Sequence, residues 1–243
     1  MPRTITKTVY TFQELLDLRA AGKATERAVE KAREWLRNAQ TDGEWYEFAF
    51  DTWKEAMEQI GFGEPKLYFR GFWSQGDGAC FTSNNIDLAK LIDFLATEIK
   101  AKNCIEGDPE DFRPWLVHKL GGKPTNAKYA KLARIVDSIR DCKVESIDHH
   151  YSHSNTCRFQ AELYDRGEAS GTGKDWKWHS RTPAVRKLFD EFAEAAEQLR
   201  KDLSNALYHD LEEEYEYLTG DEALLELASG NDYTFTVHGE WER

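Results

Sequence analysis

Along most of the chain, apolar residues recur every three or four positions, the spacing of helices with one buried face. Thr11 and Glu14 stand at capping-box spacing ahead of Phe12, Leu15, Leu16 and Leu18, so a helix is predicted to begin at Thr11 and to break at Gly22. A second helix is expected from Thr25 to about Ala39, ending before Asp42-Gly43. A third covers roughly Trp45 to Ile60 and stops at Gly61 and Gly63. Ile86, Leu88, Leu91, Ile92 and Leu95 mark an amphipathic helix to about Lys102. Pro109 and Pro124 fit the first turns of two more, ending near Gly121-Gly122 and Arg140. From Pro183 the apolar positions Leu188, Phe192, Ala195, Leu199, Leu203, Leu207, Leu211, Tyr215 and Leu218 describe one unbroken helix of about 36 residues, roughly 54 Å long. Thr219 is expected to cap a short helix after it.

Between these helices the pattern changes to alternation. Residues 4–10 (TITKTVY) and Asp232 to His238 (DYTFTVH) read as short strands. In the "LYFRGFWSQGDGACFTS" stretch, Leu67 to Trp73 is aromatic and strand-like, Ser74 to Gly78 has turn chemistry, and Ala79 to Thr82 returns as a second strand. A second hairpin is expected where Val144 to Asp148 runs through "DHHYSHSN" into the alternating Thr156 to Tyr164. Short hairpin strands set between runs of helices point to an α+β fold: a small antiparallel sheet of hairpins covered by several helices, with one long C-terminal helix. Without an internal repeat or a clear linker, residues 1–243 read as a single domain, with a helical N-terminal part at about 1–62 and an acidic part at about 202–243.

Composition changes this picture in two places. Eight Trp and 13% aromatic residues point to an aromatic-rich core or contact surface. The net charge of -12 is confined to one end: between 202 and 242 there are 12 acidic residues and no Lys or Arg, while the remainder balances. Such a distribution argues against broad binding to nucleic acid, which needs basic surface, and suits a basic protein partner, including one that itself binds nucleic acid. No apolar run is long enough to span a membrane and the N-terminus lacks a secretory core, so a cytoplasmic protein is expected. Cys80, Cys104, Cys142 and Cys157 form no C-x-x-C pair and read as reduced, mostly apolar fillers.

The chemistry-bearing residues cluster in three loops. Gly76 and Gly78 flank Asp77, an arrangement that turns a hairpin and presents Gln75 and Asp77 beside Trp73. His149, His153 and Cys157 repeat every four residues as helical zinc ligands would, yet Ser152 to Asn155 reads as a turn, which favours a polar contact loop carrying His150 and His153. "SGTGKDWKWHSR" misses the phosphate-loop pattern, with Glu168 where the first Gly belongs and Asp175 after Lys174; what remains is Trp176 and Trp178 as stacking or contact residues. Neither a cofactor signature nor zinc-site spacing of the C-x-x-C or H-E-x-x-H kind is present. The stripe along the long helix is core, or leaves room for a helix–helix dimer.

"YFRGFWSQGDGACF" (68–81), "YSHSNT" (151–156) and "LEEEYEYLTGDEAL…NDYTFT" (211–236) together resemble a family of bacteriophage and prophage proteins labelled antitoxin of a toxin–antitoxin stability system. The resemblance implies phage origin, action inside an infected bacterium, and neutralisation of a host toxin or defence effector by direct contact. Trp73, Gln75, Asp77, His150, His153, Trp176, Trp178 and the acidic Glu212, Glu213 and Glu214 are the residues expected to meet that partner. Two rivals stand beside this expectation: a mimic of DNA charge that blocks a nuclease or restriction enzyme through Glu212 to Glu216, and a metal-dependent enzyme using Asp77 with His149, His150 or His153.

Overall fold

The computed structural model describes residues 7–97, 112–122, 126–148, 150–163 and 183–242. They form two compact units, Met1–Phe48 with Leu211–Arg243, and Ala49–Asp210. Helices dominate, and the strands of the described residues form four small antiparallel sheets, so the fold is α+β. Among the described residues no helix is long and apolar enough to cross a membrane.

In the first unit, β1 (Tyr10–Thr11) leads straight into α1 (Phe12–Ala20), followed by α2 (Glu26–Thr41). The chain returns through α7 (Asp221–Gly230) and the strands β8 (Thr234–Phe235) and β9 (Trp241–Glu242), which complete a sheet of order β1-β8-β9. Phe12, Leu15, Val29, Ala32, Leu36, Leu224, Ala228 and Phe235 make its core. Trp35 stacks on Trp241 at 4.9 Å and meets Tyr233 edge-on. The capping box at Thr11 forms as its spacing predicts: Thr11 Oγ1 accepts from the Glu14 amide at 3.2 Å, and the Glu14 carboxylate accepts from the Thr11 amide at 2.8 Å. Thr11→Ala is expected to lower stability by about 1 kcal/mol, read from the urea midpoint at constant m-value.

Thr219 does not cap α7. Its hydroxyl donates back to the Tyr215 carbonyl at 2.7 Å, satisfying one of the orphan acceptors at the end of the long helix, and Gly220 takes the N-cap position without a side-chain bond.

The second unit contains α3 (Glu47–Gln59), β2 (Phe62–Gly63) paired with β5 (Asn85–Ile86), the hairpin β3 (Lys66–Arg70) and β4 (Gly78–Thr82), α4 (Leu88–Ala96) and α5 (Phe112–Lys119). The helix expected from Pro124 is a 3-10 helix over Ala127–Ser138, and residues 139–140 already belong to β6 (Ile139–Ser146). The reason lies in the spacing of its inward positions: Leu132 and Ile135 are buried, with Tyr129 and Ser138 partly so, a period of three that suits three residues per turn. β6 pairs with β7 (Cys157–Leu163). A bridge between Ser83 and Val144, with reciprocal amide bonds of 3.0 and 2.7 Å, joins the two hairpins side by side.

The long helix α6 runs Pro183–Leu218, 36 residues, as the stripe predicts. Phe192, Ala195, Leu199, Leu203, Leu207 and Leu211 are all buried within the chain, so the face that would have served a helix–helix dimer is occupied by the protein's own core.

Candidate functional site

In the β3–β4 hairpin, Leu67 pairs with Phe81 and Phe69 with Ala79 on one face, and Lys66 with Thr82 and Tyr68 with Cys80 on the other. The connecting loop is held from within. The Asp77 carboxylate accepts from the Ser74 amide at 2.7 Å, the Asp77 amide donates to the Ser74 carbonyl at 3.1 Å, and the same carboxylate lies under Gly71. Asp77 therefore shapes the loop with the group the sequence suggested it would present. Phe72 anchors the loop between Phe69 and Tyr208 of α6, at ring distances of 4.9 and 5.6 Å. Its neighbour Trp73 adopts a left-handed backbone (φ 62°) and is 68% exposed, and Gln75 is exposed beside it. A non-glycine residue at positive φ is a strained choice that surrounding structure must hold in place.

The bracing comes from the β6–β7 loop. This loop closes on itself through Thr156, whose carbonyl accepts from the Ile147 amide at 2.8 Å and whose amide donates to the His153 carbonyl at 2.9 Å. Asp148 Oδ1 accepts from the His150 amide at 2.8 Å, and His153 Nδ1 accepts from the Asn155 amide at 3.2 Å. The loop then lies against the hairpin. Arg70 donates its guanidinium to the His150 carbonyl and sits over the Tyr151 ring, 6.0 Å from its centroid. A Cβ at Gly76 would overlap the Tyr151 ring, and one at Gly78 would lie 2.6 Å from the His153 Cβ and 2.7 Å from the Ser152 carbonyl. These two glycines thus allow one loop to seat on the other, a demand beyond that of turning the chain. The His150 side chain is left 90% exposed.

Beneath the loops lies a group of buried polar atoms. Thr156 Oγ1 is 3.4 Å from the Cys80 sulfur, and Cys80 and Cys157 are both buried. The Cys157 thiol donates to the Cys80 sulfur, which with Thr156 and the positive charge of Arg200 outweighs burial and holds the Cys80 thiol down to about 7. The same contact, with burial added, drives Cys157 strongly upward. Arg200, on α6, is fully buried; its Nε and Nη2 each donate to Glu197 at 2.9 Å while Nη1 has no hydrogen-bond partner. Glu197 also accepts from the Phe159 amide at 2.8 Å, tying α6 to β7. A cleft of about 340 Å³, walled by Lys66, Tyr68, Tyr151 and Ser152, reaches down to Cys80.

A family model described as a domain of unknown function, DUF8835, matches residues 45–221, most of the chain. The chain belongs to this family. No curated protein and no solved structure matches it. The DUF8835 segment holds both loops, the two thiols and Arg200, whereas α1, α2, β8 and β9 lie outside it.

Of the residues singled out in the sequence, the DUF8835 fold brings Trp73, Gln75, Asp77, His150 and His153 onto two touching loops. Glu212, Glu213 and Glu214 belong to the other unit, near the end of α6, with Glu213 and Glu214 exposed. The acidic run of that unit is partly neutralised within it: Asp221 is clasped by Arg33 at 2.8 and 2.9 Å, Glu240 by Lys31 at 2.9 Å, and Glu242 by Lys7 at 2.6 Å. His149, Trp176 and Trp178 lie outside the described residues, among which no group of three or more His, Cys, Asp or Glu side chains is placed to hold a metal ion. Cys157, Arg200 and Glu197 were not foreseen as a cluster. The one trace of it in sequence is Arg200 itself, four residues from Ala196 and from Ser204, on the apolar row of α6 where a charge is out of place.

Proposed function

We propose that the chain is a protein-binding inhibitor that occupies a partner's surface with the two braced loops, an antitoxin or anti-defence protein of phage origin acting in the cytoplasm of an infected bacterium. One observation carries this reading. Of eight large hydrophobic side chains exposed among the described residues, four (Tyr68, Trp73, Ile147 and Tyr151) come from the β3–β4 hairpin and the loop seated on it. Tryptophan and tyrosine are the residues that most often anchor protein interfaces, and a fixed backbone removes much of the ordering cost of binding. His150 and Gln75 supply hydrogen-bonding groups at the edge of the same surface.

The test is capture of partners from infected host cells with the tagged protein and with Trp73→Ala, after nuclease treatment. Trp73→Ala is expected to melt with the wild type, because an exposed ring contributes little to the core. It is also expected to reduce the captured stoichiometric partner by about tenfold or more, as loss of an interface anchor does. Equal capture by both proteins would remove Trp73 and its surface from the account.

A further inference from the structure

Two cysteines 77 positions apart in sequence lie near each other at the base of the loop pair, and one cleft reaches down to Cys80. Small buried thiols are ordinary core fillers, but three features here are not. The Cys80 and Cys157 sulfurs are near enough to shift each other's ionisation, Cys80 down and Cys157 up, and Cys157 directly follows the Thr156 whose hydroxyl touches Cys80. Thr156 Oγ1 approaches Cys80 at 3.4 Å. Arg200 is fully buried with Nη1 unpartnered, and its charge favours the ionised form of both sulfurs. Leaving a guanidinium nitrogen buried and unpaired is costly, and a thiolate close by offsets part of that cost.

We propose that Cys80 and Cys157 form a peroxide-oxidisable dithiol, with Cys80 the sulfur that meets peroxide through the cleft and Cys157 the resolving sulfur. The Cys80 thiolate attacks one oxygen of hydrogen peroxide and the O–O bond breaks. Cys80 becomes a sulfenic acid, and the departing hydroxide takes a proton to leave as water. The Cys157 sulfur then attacks the sulfenic sulfur; its proton and the sulfenic hydroxyl leave as a second water as the S–S bond closes. Two thiols lose two electrons and two protons, and the peroxide takes up both. The bond would tie β4 to the first residue of β7, directly below the loop that seats on Gly76 and Gly78. A cytosolic dithiol of this kind is kept reduced by the thiol pool and closes only under oxidant. This inference does not depend on what the loops bind.

Cys142 is the internal standard. It is partly exposed, but burial and the neighbouring Asp141 push its thiol up to about 12, so little thiolate is present near neutral pH. The purified full-length chain is titrated with hydrogen peroxide at neutral pH, then read by intact mass and by peptide mapping. The expected product is lighter by two hydrogens, reverts with dithiothreitol, and yields the Cys80 peptide linked to the Cys157 peptide. It should form about tenfold or more faster than any oxidation of Cys142. In Cys157→Ser the oxidised chain should instead gain one oxygen, trapped by dimedone at Cys80. Oxidation of Cys142 while Cys80 and Cys157 stay reduced would overturn the proposal, as would a lasting sulfenic acid on wild-type Cys80 beside a free Cys157. The wild-type measurement decides alone if the variant does not fold.

Discussion

Glu197→Ala is expected to lower stability by about 3–5 kcal/mol, the usual cost of stranding a buried charge. Glu197 takes both guanidinium bonds of Arg200 at 2.9 Å and the Phe159 amide at 2.8 Å. Without it a fully buried arginine loses the carboxylate that takes both these bonds, and a β7 amide loses its acceptor. Arg200→Met combined with Glu197→Leu should cost clearly less than Glu197→Ala alone, because replacing both partners removes the stranded charge. Chemical denaturation of the three proteins checks the order. The pH dependence has a definite sign. Burial pushes the Glu197 carboxyl up, but the Arg200 bonds, the Phe159 amide and the charges of Arg200 and Lys201 together hold it below the ordinary range. A carboxylate depressed in the folded state contributes stability above its unfolded pKa and loses it as pH falls through the lower folded value. Wild-type stability should therefore fall through the acid range more steeply than that of Glu197→Ala.

Gly78→Ala carries the second large effect. Its Cβ would lie 2.6 to 2.8 Å from His153 and Ser152 atoms, two of them backbone, at φ 155°. Backbone strain and overpacking together are expected to cost about 2–4 kcal/mol. Gly76→Ala makes the instructive contrast. Its Cβ meets the Tyr151 ring, a half-exposed side chain that can swing aside, so the penalty should be smaller although its φ of 89° is equally unfriendly to alanine. In both variants the β6–β7 loop loses its seat. Faster amide exchange at His150 to Asn155, with exchange in α6 unchanged, would report that loss directly.

The comparison of Gly76 and Gly78 also marks the limit of reading this chain from its sequence. Local signals were legible because their physics is local: the Thr11–Glu14 capping box, the glycines that turn the hairpin, and the stripe that makes α6 one helix. Period three at Tyr129, Leu132, Ile135 and Ser138 is equally local, but a proline at an expected helix start does not tell a 3-10 helix from an α-helix. Long-range relations were not legible. That Tyr151 rests on Gly76, and that Cys80 meets Cys157, depends on the Ser83–Val144 bridge setting two hairpins side by side, for which no residue pattern is diagnostic. The pairing of Asp221, Glu240 and Glu242 within the acidic run was not legible for the same reason: their partners Arg33, Lys31 and Lys7 lie more than 180 positions away in sequence.

The most direct test of the binding surface replaces Gln75 with a photo-crosslinking amino acid, beside a control carrying it at the exposed Lys128 of the 3-10 helix, both irradiated in infected cells. A single host-protein adduct at position 75 and none at position 128 is the predicted result. The same adduct at both positions, or none at 75 while the partner still co-purifies, would contradict the account.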